Sequence, residues 1–256
     1  DVIGTKLLSG QTGMKDTLTL AGELGLSLKR TESELRSLAT SGQVVLVKHD
    51  NRLSAVHQTL WDEYCQRITT SLSAYHSQFP LKLGPNREEL KNKSVRILEP
   101  VLYNALLAYL EKAEQIIMDG AAVRTANHSI QFSADEKNIR DQIEATLKEA
   151  DFANMPDSNA LATLLKTDQK QINTMLKALQ DLALVIVLEG GLVLHINTVE
   201  KVKNKLRQAL QQNGQIKVAE FRDLIGSNRR YALALLSYFD AVGFTQRRED
   251  VRILIE

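Results

Sequence analysis

A helix end followed by a hairpin recurs four times along this chain, and that repeat constrains the fold more than any other feature. In each copy two apolar residues stand three positions apart at a predicted helix end, and a turn and two short β-rich runs follow. The copies lie about 60 to 70 residues apart, a period that indicates one small domain repeated along the chain. The apolar pairs are Leu35/Leu38, Leu107/Leu110, Leu176/Leu179 and Leu236/Phe239.

The β-rich runs predict four antiparallel hairpins. Their strands are 44–48 with 53–57, 115–118 with 122–125, 184–188 with 192–196, and 244–247 with 251–255. The turns between them consist of the polar residues and glycines that hairpin loops use, namely Asp50-Asn51, Asp119-Gly120, Glu189-Gly190-Gly191 and Glu249-Asp250. Two short helices precede each hairpin, as at 218–224 and 228–239. Helices followed by a β wing form the winged-helix fold.

Longer amphipathic helices at 60–76, 134–149 and 199–212 each follow one wing and supply the first helix of the next domain. We therefore predict four winged-helix domains, at 1–57 with a short or truncated first helix, 58–130, 131–197 and 198–256. The predicted fold class is mostly α with small β hairpins (α+β), as four tandem winged helices in an extended arrangement. The polar stretch 128–135 is the predicted hinge between the two pairs. Because the chain begins with Asp1 rather than Met, we predict a C-terminal part of a longer protein.

The composition, 43% hydrophobic and 25% charged, is typical of a soluble globular protein. The formal net charge is only +1, so any nucleic-acid contact is expected to be a local patch. No apolar run approaches the ~20 residues of a membrane span, and no signal peptide leads the chain. With one cysteine, Cys65, no internal disulfide can form, which fits a reducing compartment. We therefore predict a cytoplasmic protein without a membrane partner.

No catalytic or metal-binding constellation emerges from the sequence. The five histidines are scattered and no two stand three or four positions apart on a predicted helix, so no metal site is predicted. The stretch 10–17 resembles a phosphate-binding loop only loosely, because it lacks the four-residue spacing and the Gly-Lys-Ser/Thr ending. Carboxylates on the helices alternate with lysine and arginine, as on solvated faces. We predict that this chain is not an enzyme.

Basic residues concentrate at neighbouring places in the fourth domain. A helix start offers unpaired N–H groups and a positive dipole end, and guanidinium groups bind phosphate or a guanine edge in bidentate fashion. The second and third helices and the wing of the domain therefore supply the candidate nucleic-acid contacts, which are Lys217, Arg222, Arg229, Arg230, Tyr231, Gln246, Arg247, Arg248 and Arg252.

The other domains are less furnished with positive charge. In the first domain, neighbouring glutamates offset the positive charge of Lys29 and Arg30. The second domain has an uncharged wing, which favours a role in protein contacts or as a spacer. Lys170 and Lys177 give the third a weaker positive face. The fourth domain's third helix has few long polar side chains beyond its start, which is poor for reading a major groove. A compact RNA hairpin with splayed bases, gripped by helix start and wing, is the favoured target.

The segments 219–231, 235–240, 243–248 and 250–252 closely resemble the last winged helix of the bacterial selenocysteine-specific translation elongation factors. The four-domain organisation extends this likeness over the whole chain. The resemblance implies that the fourth domain binds the selenocysteine insertion (SECIS) hairpin of mRNA near a UGA codon on the ribosome. It also implies an upstream GTPase module, with its GTP and Mg, that carries selenocysteinyl-tRNA and is outside this sequence.

Carried onto the matching positions, the resemblance nominates eight RNA-binding residues. They are Ser227, Asn228, Arg229, Arg230, Tyr231, Arg247, Arg248 and Arg252. We expect Arg229 and Arg247 to matter most, because both are arginine where the family pattern has arginine. The first three domains would form an arm that sets the distance between the hairpin and the GTPase. No cofactor is expected in this part of the protein, and a monomer is predicted.

Two other functions stay open at this point. A DNA-binding transcriptional regulator with tandem winged helices would prefer duplex DNA and would fill a groove with its recognition helix. A protein-interaction scaffold would show no salt-dependent affinity for nucleic acid.

Overall fold

The structure, a computed structural model, describes residues 2–10, 12–150, 152 and 155–255. Most of these residues are helical, and small antiparallel sheets separate groups of helices. The chain forms two compact units, Asp1–Ser129 and Ile130–Glu256, and the boundary between them falls within the polar stretch 128–135. Each unit contains two groups of helices closed by a hairpin. The predicted fold class, mostly helical with small sheets in winged helices, is confirmed.

The first winged helix opens the first unit. Its elements are α1 (Val2–Leu8), β1 (Met14–Asp16), α2 (Thr17–Leu24), α3 (Leu28–Thr40), β2 (Val44–His49) and β3 (Arg52–His57). The strands form a sheet in the order β1-β3-β2. Leu7, Leu20 and Leu35, one from each helix, are fully buried with Ala55 of the sheet.

The second winged helix completes the first unit. Its elements are α4 (Gln58–Gln78), α5 (Arg87–Ser94), α6 (Pro100–Lys112), β4 (Ile116–Asp119) and β5 (Ala122–Thr125). Trp61, Tyr64, Ile68 and Leu72 form the apolar stripe of α4 and are buried in one core with leucines of α6. The end of the loop before α5 lies antiparallel beside β5, since Asn86 forms a bridge with Ala122.

The third winged helix opens the second unit. Its elements are α7 (Ala134–Glu149), α8 (Ser158–Leu164), α9 (Gln169–Asp181), β6 (Val185–Val187), a 3-10 turn (Glu189–Gly191) and β7 (Val193–His195). A capping box starts α7, in which the Ser133 hydroxyl accepts from the Glu136 N–H and Glu136 accepts from the Ser133 N–H. This cap explains why α7 begins at the predicted residue.

The fourth winged helix follows without a linker. Its elements are α10 (Ile196–Asn213), β8 (Ile216–Lys217), α11 (Val218–Ile225), α12 (Arg229–Ala241), β9 (Thr245–Arg248) and β10 (Val251–Leu254). The sheet order is β8-β10-β9. Phe221 and Phe239 are fully buried in a core that continues into Leu188, Leu192 and Leu194 of the third winged helix. The core of the fourth winged helix therefore extends to the wing of the third.

All four predicted hairpins are present, with ends within a residue or two of the predicted ones. The predicted second turn is shifted by one residue, because Asp119 pairs with Ala122 and leaves Gly120-Ala121 as the turn. The sequence did not predict β1 and β8. Strands of three and two residues are too short to show an alternating pattern.

Two histidines hold equivalent positions where a wing strand runs directly into the next long helix. The Nδ1 atom of His57 accepts a hydrogen bond of 3.2 Å from the Thr59 N–H at the start of α4. In the same way, His195 Nδ1 accepts from the Asn197 N–H at 3.1 Å at the start of α10. Both histidines therefore cap helices, which accounts for their corresponding places in the repeat.

Two stacked histidines, of which His76 is buried and His128 is half-buried, lie beside the second hairpin. The rings of His76 and His128 are stacked, with centroids 3.6 Å apart, and His76 Nε2 accepts from the Thr125 N–H at 3.2 Å. Burial, with the charges of His128 and Arg124, lowers the pKa of His76 to about 4. The ring is therefore neutral at physiological pH.

None of the helices described is both long and apolar enough to cross a membrane. Among the described residues, no three or more histidine, cysteine, aspartate or glutamate side chains are grouped so that they could hold a metal ion. Burial raises the pKa of the Cys65 thiol to about 11, so the thiol is protonated and unreactive.

Candidate nucleic-acid interface

The start of α12 is built by a glycine and an asparagine. Gly226, at φ 63°, ends α11 in the left-handed conformation that a side chain disfavours. Asn228 caps α12, and its Oδ1 accepts a hydrogen bond of 3.0 Å from the Tyr231 N–H. Arg229 thereby occupies the first turn of the helix with its side chain exposed. Within the part of the chain that the structure describes, the Arg229 side chain forms no hydrogen bond or ion pair.

The wing presents cations on both faces of a three-stranded sheet. Val251 of the central strand pairs with Lys217 on one side and with Arg248 on the other, so these three side chains share one face. Arg252 pairs with Arg247 and lies on the opposite face. The two-residue turn Glu249-Asp250 joins the strands, with Glu249 at φ 53°. The register therefore separates Arg248 from its neighbour Arg247.

Arg252 is buried, which differs from the prediction that it contacts RNA at the surface. Only 5% of the residue is exposed, and its Nε donates a hydrogen bond of 3.2 Å to Asp240 Oδ2. The Thr245 hydroxyl donates to the other oxygen of the same carboxylate at 2.6 Å. Asp240 therefore ties the last turn of α12 to both strands of the wing. This carboxylate neutralises Arg252 and keeps its guanidinium beneath the sheet.

Arg247 and Arg248 remain at the surface. The Nε of Arg247 donates to the Glu249 carbonyl at 2.9 Å, which holds the side chain near the turn and leaves its remaining donors unused by that bond. Arg248 is exposed and, among the described residues, its side chain has no hydrogen bond or ion pair. Gln246 is also exposed and pairs with Ile253 of β10.

The two cations predicted on α11 and its preceding strand are partly neutralised. Lys217 lies 3.8 Å from Asp250, with both side chains well exposed, so that pair contributes little. The Nε of Arg222 donates to Asp223 at 2.7 Å. These two residues therefore offer less net charge to a ligand than Arg229 or Arg248.

The third winged helix engages three of the five residues predicted at the start of α12. The Ser227 hydroxyl donates to the Phe152 carbonyl at 2.9 Å, and the Tyr231 hydroxyl donates to the Met155 carbonyl at 2.8 Å. Arg230 Nη2 donates to the Gly190 carbonyl at 2.8 Å. These side chains join the helix start to the neighbouring domain.

Gly190 is the residue that permits the Arg230 contact. It lies in the turn of the third wing at φ 80°, and a Cβ atom there would be 3.1 Å from Arg230 Nη2. Sequence reasoning placed Gly190 in a hairpin turn but did not find this contact. Nor did it find Asp240, because the partners of both residues are set by packing and not by spacing.

We define the arginine surface as Arg229, Arg247 and Arg248 together with the exposed Gln246. All belong to one winged helix, at the start of its recognition helix and on its wing. Guanidinium groups with unused donors, like the free N–H groups of a helix start, are suited to phosphate oxygens and base edges. The role of these residues stays a prediction.

Two segments of this chain match the models of known protein families. Residues 208–254 and residues 69–124 match models described as elongation factor SelB, winged helix. The first match contains the whole arginine surface. The second contains α5, α6 and all of the second hairpin except its last residue, Thr125.

Three similar proteins from three organisms are all described as selenocysteine-specific elongation factors. The selenocysteine-specific elongation factor of Desulfomicrobium baculatum is 24% identical over 181 residues, 71% of this chain and 28% of that protein. The one from Escherichia coli K12 is 23% identical over 189 residues, 74% of this chain and 30% of that protein. That of Haemophilus influenzae is 21% identical over 243 residues. The chain thus spans between 28% and 39% of the length of these relatives.

Two solved structures also align with the chain. The mRNA-binding domain of elongation factor SelB from E. coli, in complex with SECIS RNA, is 24% identical and covers 49% of this chain and 100% of its own, with a TM-score of 0.43. A bacterial selenocysteine-specific elongation factor EF-Sec is 14% identical and covers 84% of this chain and 32% of its own, with a TM-score of 0.44. The two winged-helix matches and the shared description of the relatives confirm the predicted resemblance to the selenocysteine-specific elongation factors, in which two segments of this chain match SelB winged helices.

Proposed function

We propose that this chain is the mRNA-binding part of a selenocysteine-specific elongation factor, and that its fourth winged helix binds a SECIS hairpin. One observation carries the proposal. Arg229 and Arg248 are exposed and unpaired among the described residues, within the segment that matches a SelB winged helix. Unpaired surface arginines gathered on a helix start and a wing are the footprint of a nucleic-acid contact.

The chemistry assigns different contacts to the two parts of the surface. At the start of α12, Arg229 and the free backbone N–H groups bind phosphate where the RNA backbone turns. On the wing, Arg247 and Arg248 point to opposite faces of the strand, so one of them is placed to read or stack on a base while the other holds the backbone. Gln246 offers an amide to a base edge.

The exposed side of α12 argues for RNA over duplex DNA. Past Arg229 and Arg230 the exposed residues of the helix are Leu233, Ser237 and Ala241. None of these carries a long polar side chain that reaches a base edge in a major groove. A DNA-binding regulator that reads a groove along its recognition helix is therefore disfavoured. The grip at helix start and wing fits a hairpin with accessible bases.

We propose that an upstream GTPase module, with its GTP and Mg, carries selenocysteinyl-tRNA, while this part has no catalytic site and needs no cofactor. Binding a hairpin beside the UGA codon would hold that module near the ribosome and raise its effective concentration without new chemistry. A cytoplasmic location and a monomeric state belong to the same proposal.

The test is a binding titration of the chain against a SECIS hairpin, a scrambled hairpin and a duplex DNA, each at two salt concentrations. The proposal predicts tighter binding to the SECIS hairpin, with an affinity that falls as salt rises. Preference for the duplex would support the regulator instead. Absence of any salt-dependent binding would support the protein-interaction scaffold.

A further inference from the structure

The chain contains three long helices in the same architectural position, each running from the end of one wing into the next winged helix. They are α4, α7 and α10. Helix α4 carries one cation and two carboxylates, and its Arg67 pairs with Glu63. Helix α7 carries three cations and five carboxylates, and Arg140 and Lys148 both approach Glu144. These two helices have the mixed, internally paired charges of an ordinary solvated face.

Helix α10 differs from both. It carries four cations, Lys201, Lys203, Lys205 and Arg207, against the single carboxylate Glu200. In the described part of the chain none of the three lysines forms an ion pair. Apart from the cations and Glu200, the exposed residues of this helix are amides, at Asn197, Asn204, Gln208, Gln211, Gln212 and Asn213. Unbalanced positive charge on a helix costs self-repulsion, which a ligand of opposite charge relieves.

The cations lie in two rows along the helix. Lys201 and Lys205, four residues apart, are exposed on one side of the amides. On the other side, Lys203 Nζ lies over the ring of Phe244, 4.8 Å from its centroid, and Arg207 lies over the same ring at 5.0 Å. Phe244 immediately precedes β9. The second row therefore lies at the base of the wing whose far end carries Arg248.

We propose that α10 binds the phosphodiester backbone of RNA, as an extension of the arginine surface onto the stem of the bound hairpin. This rests on the proposed function of the fourth winged helix. Lysine is a flexible point charge that binds phosphate without reading sequence, and amides add neutral hydrogen bonds to phosphate and sugar. The contact therefore adds affinity and salt dependence but no sequence preference.

The length of strand β9 sets how long an RNA stem must be to reach both the wing tip and α10. Four residues of β9 separate Phe244 from Arg248, about 13 Å at ~3.3 Å per residue. A B-form duplex rises ~3.4 Å per base pair and the A-form stem of an RNA hairpin rises less, so that distance corresponds to at least about four base pairs. A hairpin trimmed close to its loop engages the wing and the helix start alone. A stem several base pairs longer also reaches α10.

The experiment compares the whole chain with the variant Lys201→Gln/Lys203→Gln/Lys205→Gln on two SECIS hairpins, one trimmed to a short stem and one with the stem extended by about six base pairs. Glutamine keeps the helix propensity and much of the length of lysine while it removes the charge. We expect the variant to bind the extended hairpin about tenfold more weakly, with a salt slope shallower by about one for each lysine engaged. Binding to the short hairpin changes little.

A matched variant controls for loss of net charge. Lys29→Gln/Arg96→Gln/Lys112→Gln removes three exposed cations from the first unit, none of which has an ion-pair partner among the described residues. It should leave both affinities unchanged. The inference is overturned if the α10 variant binds the extended hairpin with unaltered affinity and salt slope, or if the control variant loses as much.

The two proposals fail separately. If the unmodified chain binds a scrambled extended hairpin as tightly as the SECIS one, the proposed function fails. The α10 contact is then still tested by the salt slopes on the scrambled RNA. If hairpin selectivity is present and depends on Arg229, but the α10 variant is neutral, only the α10 contact fails.

Discussion

The guanidinium of Arg230 donates a hydrogen bond of 2.8 Å to the carbonyl of Gly190, so the recognition helix of the fourth winged helix is fastened to the wing of the third. The hydroxyls of Tyr231 and Ser227 make two further bonds to the same neighbour. These side chains are positioning residues. In the proposed RNA complex they would set the direction from which Arg229 meets the RNA. The core that runs from the fourth winged helix into the wing of the third resists relative movement of the two domains.

Tyr231→Phe tests the positioning role of Tyr231, because it removes only the hydroxyl oxygen with its hydrogen. The change removes the hydrogen bond to the Met155 carbonyl, and we expect it to lower the free energy of unfolding by about 1 kcal/mol. Urea denaturation measures this. Tyr238→Phe is the control, because no hydrogen bond of the Tyr238 hydroxyl is present among the described residues. A Tyr231→Phe variant with unchanged stability, but with RNA affinity reduced as much as in Arg229→Ala, would show that Tyr231 contacts RNA directly.

Gly190→Ala tests the contact with Arg230 against a neighbouring glycine. Gly190 and Gly191 have φ values of 80° and 77°, so alanine at either position carries a backbone cost of order 1–3 kcal/mol. Only at Gly190 does the new methyl group meet Arg230. We expect Gly190→Ala to destabilise the chain by about 0.5–1 kcal/mol more than Gly191→Ala, the size of one hydrogen bond.

The extra loss of stability in Gly190→Ala, relative to Gly191→Ala, should require the Arg230 side chain. In an Arg230→Ala background the two glycine variants should be equally destabilised, as measured by a double-mutant cycle in urea. An excess that persists without the Arg230 side chain would mean that the methyl group disturbs something else.

Asp240→Asn tests how the wing is held. Loss of the carboxylate leaves the buried Arg252 guanidinium without its counter-charge, and we expect a cost of about 2 kcal/mol, below that of a fully buried pair because Asp240 is partly reached by solvent. Asp250→Asn, which removes an exposed carboxylate 3.8 Å from Lys217, should cost almost nothing.

The same two variants should differ in their affinity for RNA. Removing a carboxylate from a binding surface ordinarily raises affinity for phosphate, so Asp250→Asn should bind equally or more tightly. Asp240→Asn should bind more weakly, because the wing loses its anchor to α12. If both variants bind more tightly, the Asp240–Arg252 pair does not position the wing.

The pKa of His76 predicts a pH dependence for the first unit. Its pKa in the folded chain, about 4, is below the usual 6.5, so the folded state disfavours the protonated ring. The stabilising effect of the neutral ring is complete above pH 6.5 and is lost as pH falls towards 4. Protonated His76 cannot accept from the Thr125 N–H, and it repels Arg124.

Urea midpoints between pH 7 and pH 4 measure this dependence. His76→Gln, which keeps a hydrogen-bond acceptor without titrating, should remove much of the loss below pH 6.5, whereas His49→Gln at the exposed wing tip should not. Equal pH profiles for all three proteins would contradict the assignment to His76.

The sequence predicted the elements that carry a long periodic pattern. Helix α7 has its predicted limits because an apolar stripe and the Ser133 cap agree, and the hairpins follow from polar turns between alternating runs. The burial of Arg252 was not predictable, because it depends on a carboxylate twelve residues away that only the packed sheet brings within reach. The partners of Ser227, Arg230 and Tyr231 lie 40 to 76 residues away, beyond any local rule.

The most direct test of RNA binding by the fourth winged helix is a hairpin titration of four single variants in the full chain. Arg229→Ala and Arg247→Ala should each weaken binding to a SECIS hairpin by about 1–3 kcal/mol, because each removes a guanidinium from the arginine surface. Lys29→Ala and Arg30→Ala, at the equivalent helix start of the first winged helix, should leave the affinity nearly unchanged. Equal losses at the two ends of the chain would contradict a single RNA site in the fourth winged helix.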